Sequence, residues 1–166
     1  GATRTDLRGS KLKQMFEDLH KILNVQRESC VVFVQWTTLS KAIATLMKND
    51  GLPYTVLKGN SHSRKATLKR FNEAQRPSIL LLSLENSNAG LSLCTANHVF
   101  FPHALVTKSV KEASLLQMQA IGRVHRLGQE RRVVVHQYLA ENTVECEIFN
   151  SYANKRFADA YGDACR

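Results

Sequence analysis

Cysteine, acidic residues and long apolar runs are all scarce in this chain, and each shortage excludes something. The four cysteines, Cys30, Cys94, Cys146 and Cys165, lie far apart in 166 residues. None forms a Cys-x-x-Cys pair or stands beside a histidine at zinc-ligand spacing, so no metal site is expected. They read instead as small buried hydrophobes of a reducing compartment. No apolar run approaches the roughly 20 residues of a membrane-spanning helix, and the first residues lack the apolar centre of a secretory signal. A soluble, intracellular protein without a membrane partner is the expectation. Acids number 14 against 23 Lys and Arg, leaving a formal charge of +9. Such a surplus suits a partner rich in phosphate, although charge alone fits nucleic acid, an anionic membrane surface or an acidic protein equally.

With 43% hydrophobic residues the chain can bury one substantial core, and it is too short for two ordinary domains. One domain over 1–166 is expected, with 150–166 as a helical tail. No repeat, low-complexity tract or linker interrupts it. Because the chain starts at Gly1 rather than Met, it reads as a piece of a longer protein or as opening on a residue left by cloning.

Leu12, Met15, Phe16, Leu19, Ile22 and Leu23 recur at helical spacing behind Ser10, a residue able to cap the first turn. Val31 to Val34 is a β-branched run of the kind that forms a strand covered on both faces. Leu39, Ile43, Leu46 and Met47 share the face of a second helix, which Asn49-Asp50-Gly51 ends. A short extended piece, Tyr54 to Leu57, precedes a helix over 61–73 that opens at Ser61 or Ser63 and closes before Pro77. Ile79–Leu82, Val99–Phe101 and Val133–Leu139 read as further strands, and Thr143 begins a closing helix. Strands alternating with helices imply right-handed crossovers and an α/β fold, a mostly parallel sheet with helices on both faces.

The most informative segment runs Gln119-Ala120-Ile121-Gly122-Arg123-Val124-His125-Arg126-Leu127-Gly128-Gln129. On a helix, Arg123 and Arg126 would share one face, two permanently charged forks suited to the oxygens of a triphosphate. Two arginines alone equally suit ion pairs with acidic neighbours, and His125 alone suits an ordinary satisfied histidine. The whole string, however, resembles motif VI of the Swi/Snf-type ATPases, Gln-Ala-x-x-Arg-x-His-Arg-x-Gly-Gln, at every fixed position.

The other blocks of that family follow in order. Ser10-Lys11-Leu12 resembles its opening block, Val31 to Trp36 its motif IV, and Tyr54 to Asn72 the loop and helix that come next. Leu80 to Leu93 resembles motif V, and Thr143-Val144-Glu145 with Ile148 the Thr-Ile-Glu signature. The resemblance covers about residues 10 to 150 and implies a single RecA-like domain, the second motor lobe of an ATP-dependent double-stranded DNA translocase. It implies that Arg123 and Arg126 are arginine fingers, with Gln119, Gly90 and Gln129 contributing to the nucleotide side. The string 121–126 is most similar to the branch that carries a RING finger.

Two departures stand out. Where the family has Ser-Thr-Lys-Ala-Gly-Gly-x-Gly-Leu-Asn-Leu, this chain has Ser83-Leu84-Glu85-Asn86-Ser87-Asn88-Ala89-Gly90-Leu91-Ser92-Leu93. Two glycines are lost, and Glu85 places an acid where repulsion of phosphate is expected. Pro102 to Lys108 also replaces the family's usual Asp and Trp-Asn-Pro. The 166 residues hold no Gly-x-x-x-x-Gly-Lys-Ser/Thr cradle and no Asp between Asp50 and Asp159, so ATP and its magnesium are expected on a first lobe, and the fragment alone is expected to be inactive.

Between Lys58 and Arg76 stand six basic residues and one acid, Glu73. This run fits either a solvated helix face or phosphate contact. The resemblance favours phosphate contact by Lys58, Arg64 and Lys65, joined by Ser83, Asn86 and Asn88, which would track the backbone and read little sequence. Trp36 suits stacking on a base or packing at a lobe interface. The expected partners are the N-terminal RecA-like lobe of the same chain, double-stranded DNA, nucleosomes and ubiquitin-transfer machinery, in the nucleus. Two rival functions remain: a degenerate DNA- or protein-binding lobe without turnover, and a lobe of a strand-separating DNA or RNA helicase.

Overall fold

A computed structural model describes residues 9–86 and 90–152. Five strands, β1 (Ser29–Val34), β2 (Tyr54–Leu57), β3 (Ile79–Ser83), β4 (Ala96–Phe101) and β5 (Val134–Gln137), form one sheet in the order β2-β3-β1-β4-β5. Every pairing is parallel. Among the described residues the α-helices are α1 (Ser10–Lys21), α2 (Thr37–Asn49), α3 (Ser61–Asn72), α4 (Val110–Ile121) and α5 (Val144–Tyr152).

A parallel strand needs cover on both faces, and β1 has it: Cys30 to Val34 are all fully buried. Side chains alternate across the strand. Val32 and Val34 therefore join Ile79, Leu81 and Phe100 in a core with Met15, Phe16 and Leu19 of α1 and Ile43 and Met47 of α2. Val31 and Phe33 face the opposite way, packing with Leu80, Leu82, Val99 and Phe101 against Phe71 of α3, Ala120 of α4 and Phe149 of α5. Two helices thus cover one face and three the other.

Several boundaries differ from the sequence reading. Ser10 is the first helical residue and supplies no cap; Gly9 precedes it without a side-chain cap bond. Helix α1 continues into a wide turn, Ile22–Gln26, which ends at Arg27 in the left-handed region, φ 60°. Helix α3 is capped by Asn60, whose side chain accepts from the Ser63 N–H at 2.9 Å, and it ends at Asn72, well before Pro77. Strand β4 starts three residues earlier than expected, at Ala96, because the polar pair Asn97 and His98 is buried inside it. Gly51 ends the α2 turn at φ 71°, as the Asn-Asp-Gly sequence implies. Cys30 is buried, while Cys94 and Cys146 are only partly so. Burial drives the Cys30 thiol well above its ordinary range. Cys165, most of the tail 150–166 and Asn88 lie outside the described residues.

Helices α1 and α5 are tied together. Lys11 Nζ meets both carboxylate oxygens of Glu145, at 2.8 and 2.9 Å. The same carboxylate accepts from the Ala104 and Ala140 backbone N–H groups. Burial alone would raise its pKa, but Lys11 and these N–H donors outweigh burial and hold it below the usual range.

Candidate functional site

The segment with the two arginines is not helical. Helix α4 stops at Ile121, and Gly122 begins a string of turns. Within it Arg123 N–H donates to Ala120, Val124 and His125 N–H both donate to Ile121, and Gln129 N–H donates to Arg126. Val124 is fully buried and anchors the turn, whereas Leu127 is 98% exposed at its crest. The helical face expected to align the guanidiniums is therefore replaced by a folded loop.

Gln129 fixes that loop from below. Its Nε2 lies within hydrogen-bond distance of three carbonyls, those of Ala96 (2.7 Å), Cys94 (3.1 Å) and Val124 (3.3 Å). Leu93 N–H donates to the Arg123 carbonyl at 2.9 Å. The loop is thus stitched to the end of the 83–93 segment and to the start of β4. Arg123 is half-buried at the base, and Arg126 is exposed. Burial, followed by the like charge of Arg64 on α3, lowers the Arg123 pKa below its ordinary value. Among the described residues no carboxylate lies within ion-pair distance of Arg126. Gln119 is exposed on the last turn of α4, and Gly90 stands at φ 98°, where a residue without a Cβ is favoured.

A groove of about 750 Å³ opens at the carboxyl ends of β1, β2 and β3. Ligands of open parallel sheets gather at this edge, where connections leave in opposite directions. Lys58, Arg64 and Ser83 line the groove, as do Lys41, Thr37 and Glu85. Gly59, at φ 91°, turns the chain from β2 toward α3; a Cβ there would stand 2.4 Å from Ser63 Oγ. The Ser83 hydroxyl donates to the Gln35 carbonyl at 3.2 Å. Lys65 is exposed on α3 and does not line the groove. Asn86 closes the 3-10 turn Leu84–Asn86 that follows β3. Lys41 escaped the sequence reading, because only its place one helical turn after Thr37 brings it to the mouth of the groove.

The unusual loop after β4 is firmly held. Pro102 to Leu105 are buried, Leu105 N–H donates to the Tyr152 hydroxyl at 2.8 Å, and Val106 N–H donates to Gln35 Oε1 at 2.8 Å. His103 stacks on Trp36 with ring centroids 5.2 Å apart. Trp36 thus packs one face internally and remains 39% exposed.

Residues 13–128 match the model of the helicase conserved C-terminal domain. The chain belongs to this family. As a helicase C-terminal domain it is 36% identical over 146 residues to the DNA (cytosine-5-)-methyltransferase DMT5 of Cryptococcus neoformans, covering 86% of this chain and 6% of the relative. It is 32% identical over 150 residues to the DNA repair protein RAD5B of Arabidopsis thaliana, covering 89% of this chain and 11% of the relative. The chain therefore spans a small fraction of these relatives. The C-terminal part of the Fun30 ATPase domain superposes with a TM-score of 0.78 at 21% identity, covering 89% of this chain and 46% of that one. The helicase C-terminal domain is of the Swi/Snf type, with relatives from the RING-carrying branch among its matches, and its single α/β unit has the RecA-like form.

Proposed function

We propose that this helicase C-terminal domain is the second motor lobe of an ATP-dependent double-stranded DNA translocase. The observation that carries the proposal is the 122–129 loop, with Arg126 exposed near its crest and Arg123 half-buried at its base. Fixed guanidinium charge suits the γ-phosphoryl oxygens, over which negative charge spreads during transfer. Among the described residues no group of three His, Cys, Asp or Glu could hold a metal ion, and the 166 residues lack a phosphate-cradling loop. These residues fit the phosphate end of a nucleotide that a first lobe would hold with its magnesium. ATP bound there supplies the phosphoryl group. This chain contributes charge, and Gln129 keeps the loop that bears it in place. The 1–166 unit alone is then inactive.

The groove at the carboxyl edge would follow the DNA backbone through Lys58, Arg64 and Lys41, with Ser83 at its wall and Lys65 outside it. Cations of this kind track phosphate without reading bases, which suits movement along a duplex. Nuclear action in DNA repair or chromatin remodelling follows from this reading, with nucleosomes and ubiquitin-transfer machinery as further partners.

The decisive measurement is DNA-stimulated ATP hydrolysis by a two-lobed protein carrying Arg126→Ala. A loss on the order of a thousandfold with DNA binding retained is expected. Glu85 in the groove favours a second reading, a lobe that binds DNA or protein without supporting turnover. Unchanged hydrolysis in Arg126→Ala would establish that one instead.

A further inference from the structure

One residue in the groove has the sign of the proposed ligand. Glu85 shares the groove with Lys41, Lys58 and Arg64. Its Oε2 accepts from the Thr37 backbone N–H at 2.9 Å and from the Thr37 hydroxyl at 3.0 Å. Thr37 is the first residue of α2, and Trp36 before it supplies no side-chain cap. The backbone of Glu85 is itself held, its N–H donating to the Gln35 carbonyl at 3.3 Å. A carboxylate oxygen bound by one N–H and one O–H, with three cations around the same cavity, has the surroundings that a phosphate oxygen would need.

We propose that Glu85 is a tethered competitor for the DNA backbone: it occupies the place of one phosphate and sets the affinity of the groove. The proposal rests on the groove's facing DNA. A phosphate that enters must displace the carboxylate from Thr37 or share the groove with it. Displacement forfeits two hydrogen bonds, and sharing places like charges together, so either route weakens binding. A groove restrained in this way holds duplex less tightly than its three cations would by themselves. Release during movement is correspondingly easier.

The test uses the 166-residue chain, a fluorescein-labelled duplex and fluorescence anisotropy over a series of salt concentrations. Glu85→Gln keeps an oxygen for Thr37 while removing the charge, and Glu85→Ala removes both. The expected result is a Kd lowered roughly threefold to tenfold by Glu85→Gln, with a salt dependence steeper by about one phosphate contact. Glu85→Ala should also bind more tightly despite a lower melting temperature from loss of the helix cap. Suppose instead that both variants melt earlier and bind no more tightly, while Lys41→Ala and Lys58→Ala weaken binding. Glu85 is then only a cap, and the competitor idea is overturned although the DNA-facing groove survives. If neither lysine substitution changes Kd, the groove reading fails and takes the competitor with it.

Discussion

The charges beneath α1 and the charges in the groove have opposite fates. Beneath α1, Glu28 Oε2 lies 2.6 Å from His98 Nε2, and His98 Nδ1 lies 2.9 Å from His136 Nε2. His136 is stacked on Phe100 with centroids 4.3 Å apart, and nearby Tyr138 donates to Asp18 at 2.5 Å. Each residue of this row has a side-chain partner in the row, as low-dielectric surroundings favour. In the groove, Lys41 and Lys58 are exposed. The contrast teaches that one set of charges specifies the fold, whereas the other is available to a ligand. Substitutions should separate the two cleanly.

The largest effect is expected from His98→Ala, which leaves the Glu28 carboxylate and His136 without their shared partner. Chemical denaturation should show a loss of about 3 to 5 kcal/mol, with duplex affinity of the remaining folded protein unchanged. A fall in affinity without a fall in stability would break the contrast.

Acidification should act next. Burial, then the charge of His98, lowers the His136 pKa from 6.5 to about 4. The unfolded chain takes up a proton near pH 6.5 that the folded chain refuses until about pH 4, so stability falls as pH drops through that interval. Glu28 acts in the same direction at lower pH. Burial works to raise it, but hydrogen bonds from His98 and Asn97 and the charges of His98 and Arg131 together hold it below its ordinary value. A loss of about 2 to 3 kcal/mol between pH 6.5 and 4 is expected from denaturation at stepped pH. A flat profile would mean that His136 titrates as a solvated residue.

The smallest effect on stability belongs to the groove. Lys41→Ala and Lys58→Ala should each leave unfolding within about 0.5 kcal/mol of the parent. Each should nevertheless weaken duplex binding and reduce its salt slope by about one contact. Anisotropy titrations beside melting curves would sharpen the contrast, and a destabilised lysine variant would blur it.

Local pattern made some of this legible. The β-branched run Val31 to Val34 announces a strand buried on both faces, and the Leu39, Ile43 and Met47 spacing announces α2, because both signals come from burial of neighbouring residues. The arginine string was legible as chemistry but not as backbone. Its loop depends on Gln129 reaching carbonyls 33 and 35 residues away in sequence, which no helical period reports. The early start of β4 was hidden for the same reason. Asn97 and His98 look polar and solvent-facing until the Arg132 carbonyl is seen to accept from the Asn97 amide, and Glu28 and His136 to meet the two ring nitrogens of His98, all from other segments. Glu85 reads as a misplaced acid until Thr37, 48 residues earlier, is seen to hold it.

The Lys11 to Glu145 contact closes a span of 134 residues with a single charged clasp. Helix α1 covers one face of the sheet and α5 the other, so this contact links the two covers to each other as well as to the strands between them. Loosening either helix therefore deprives the other of a partner, and the two layers are joined without passing through the sheet.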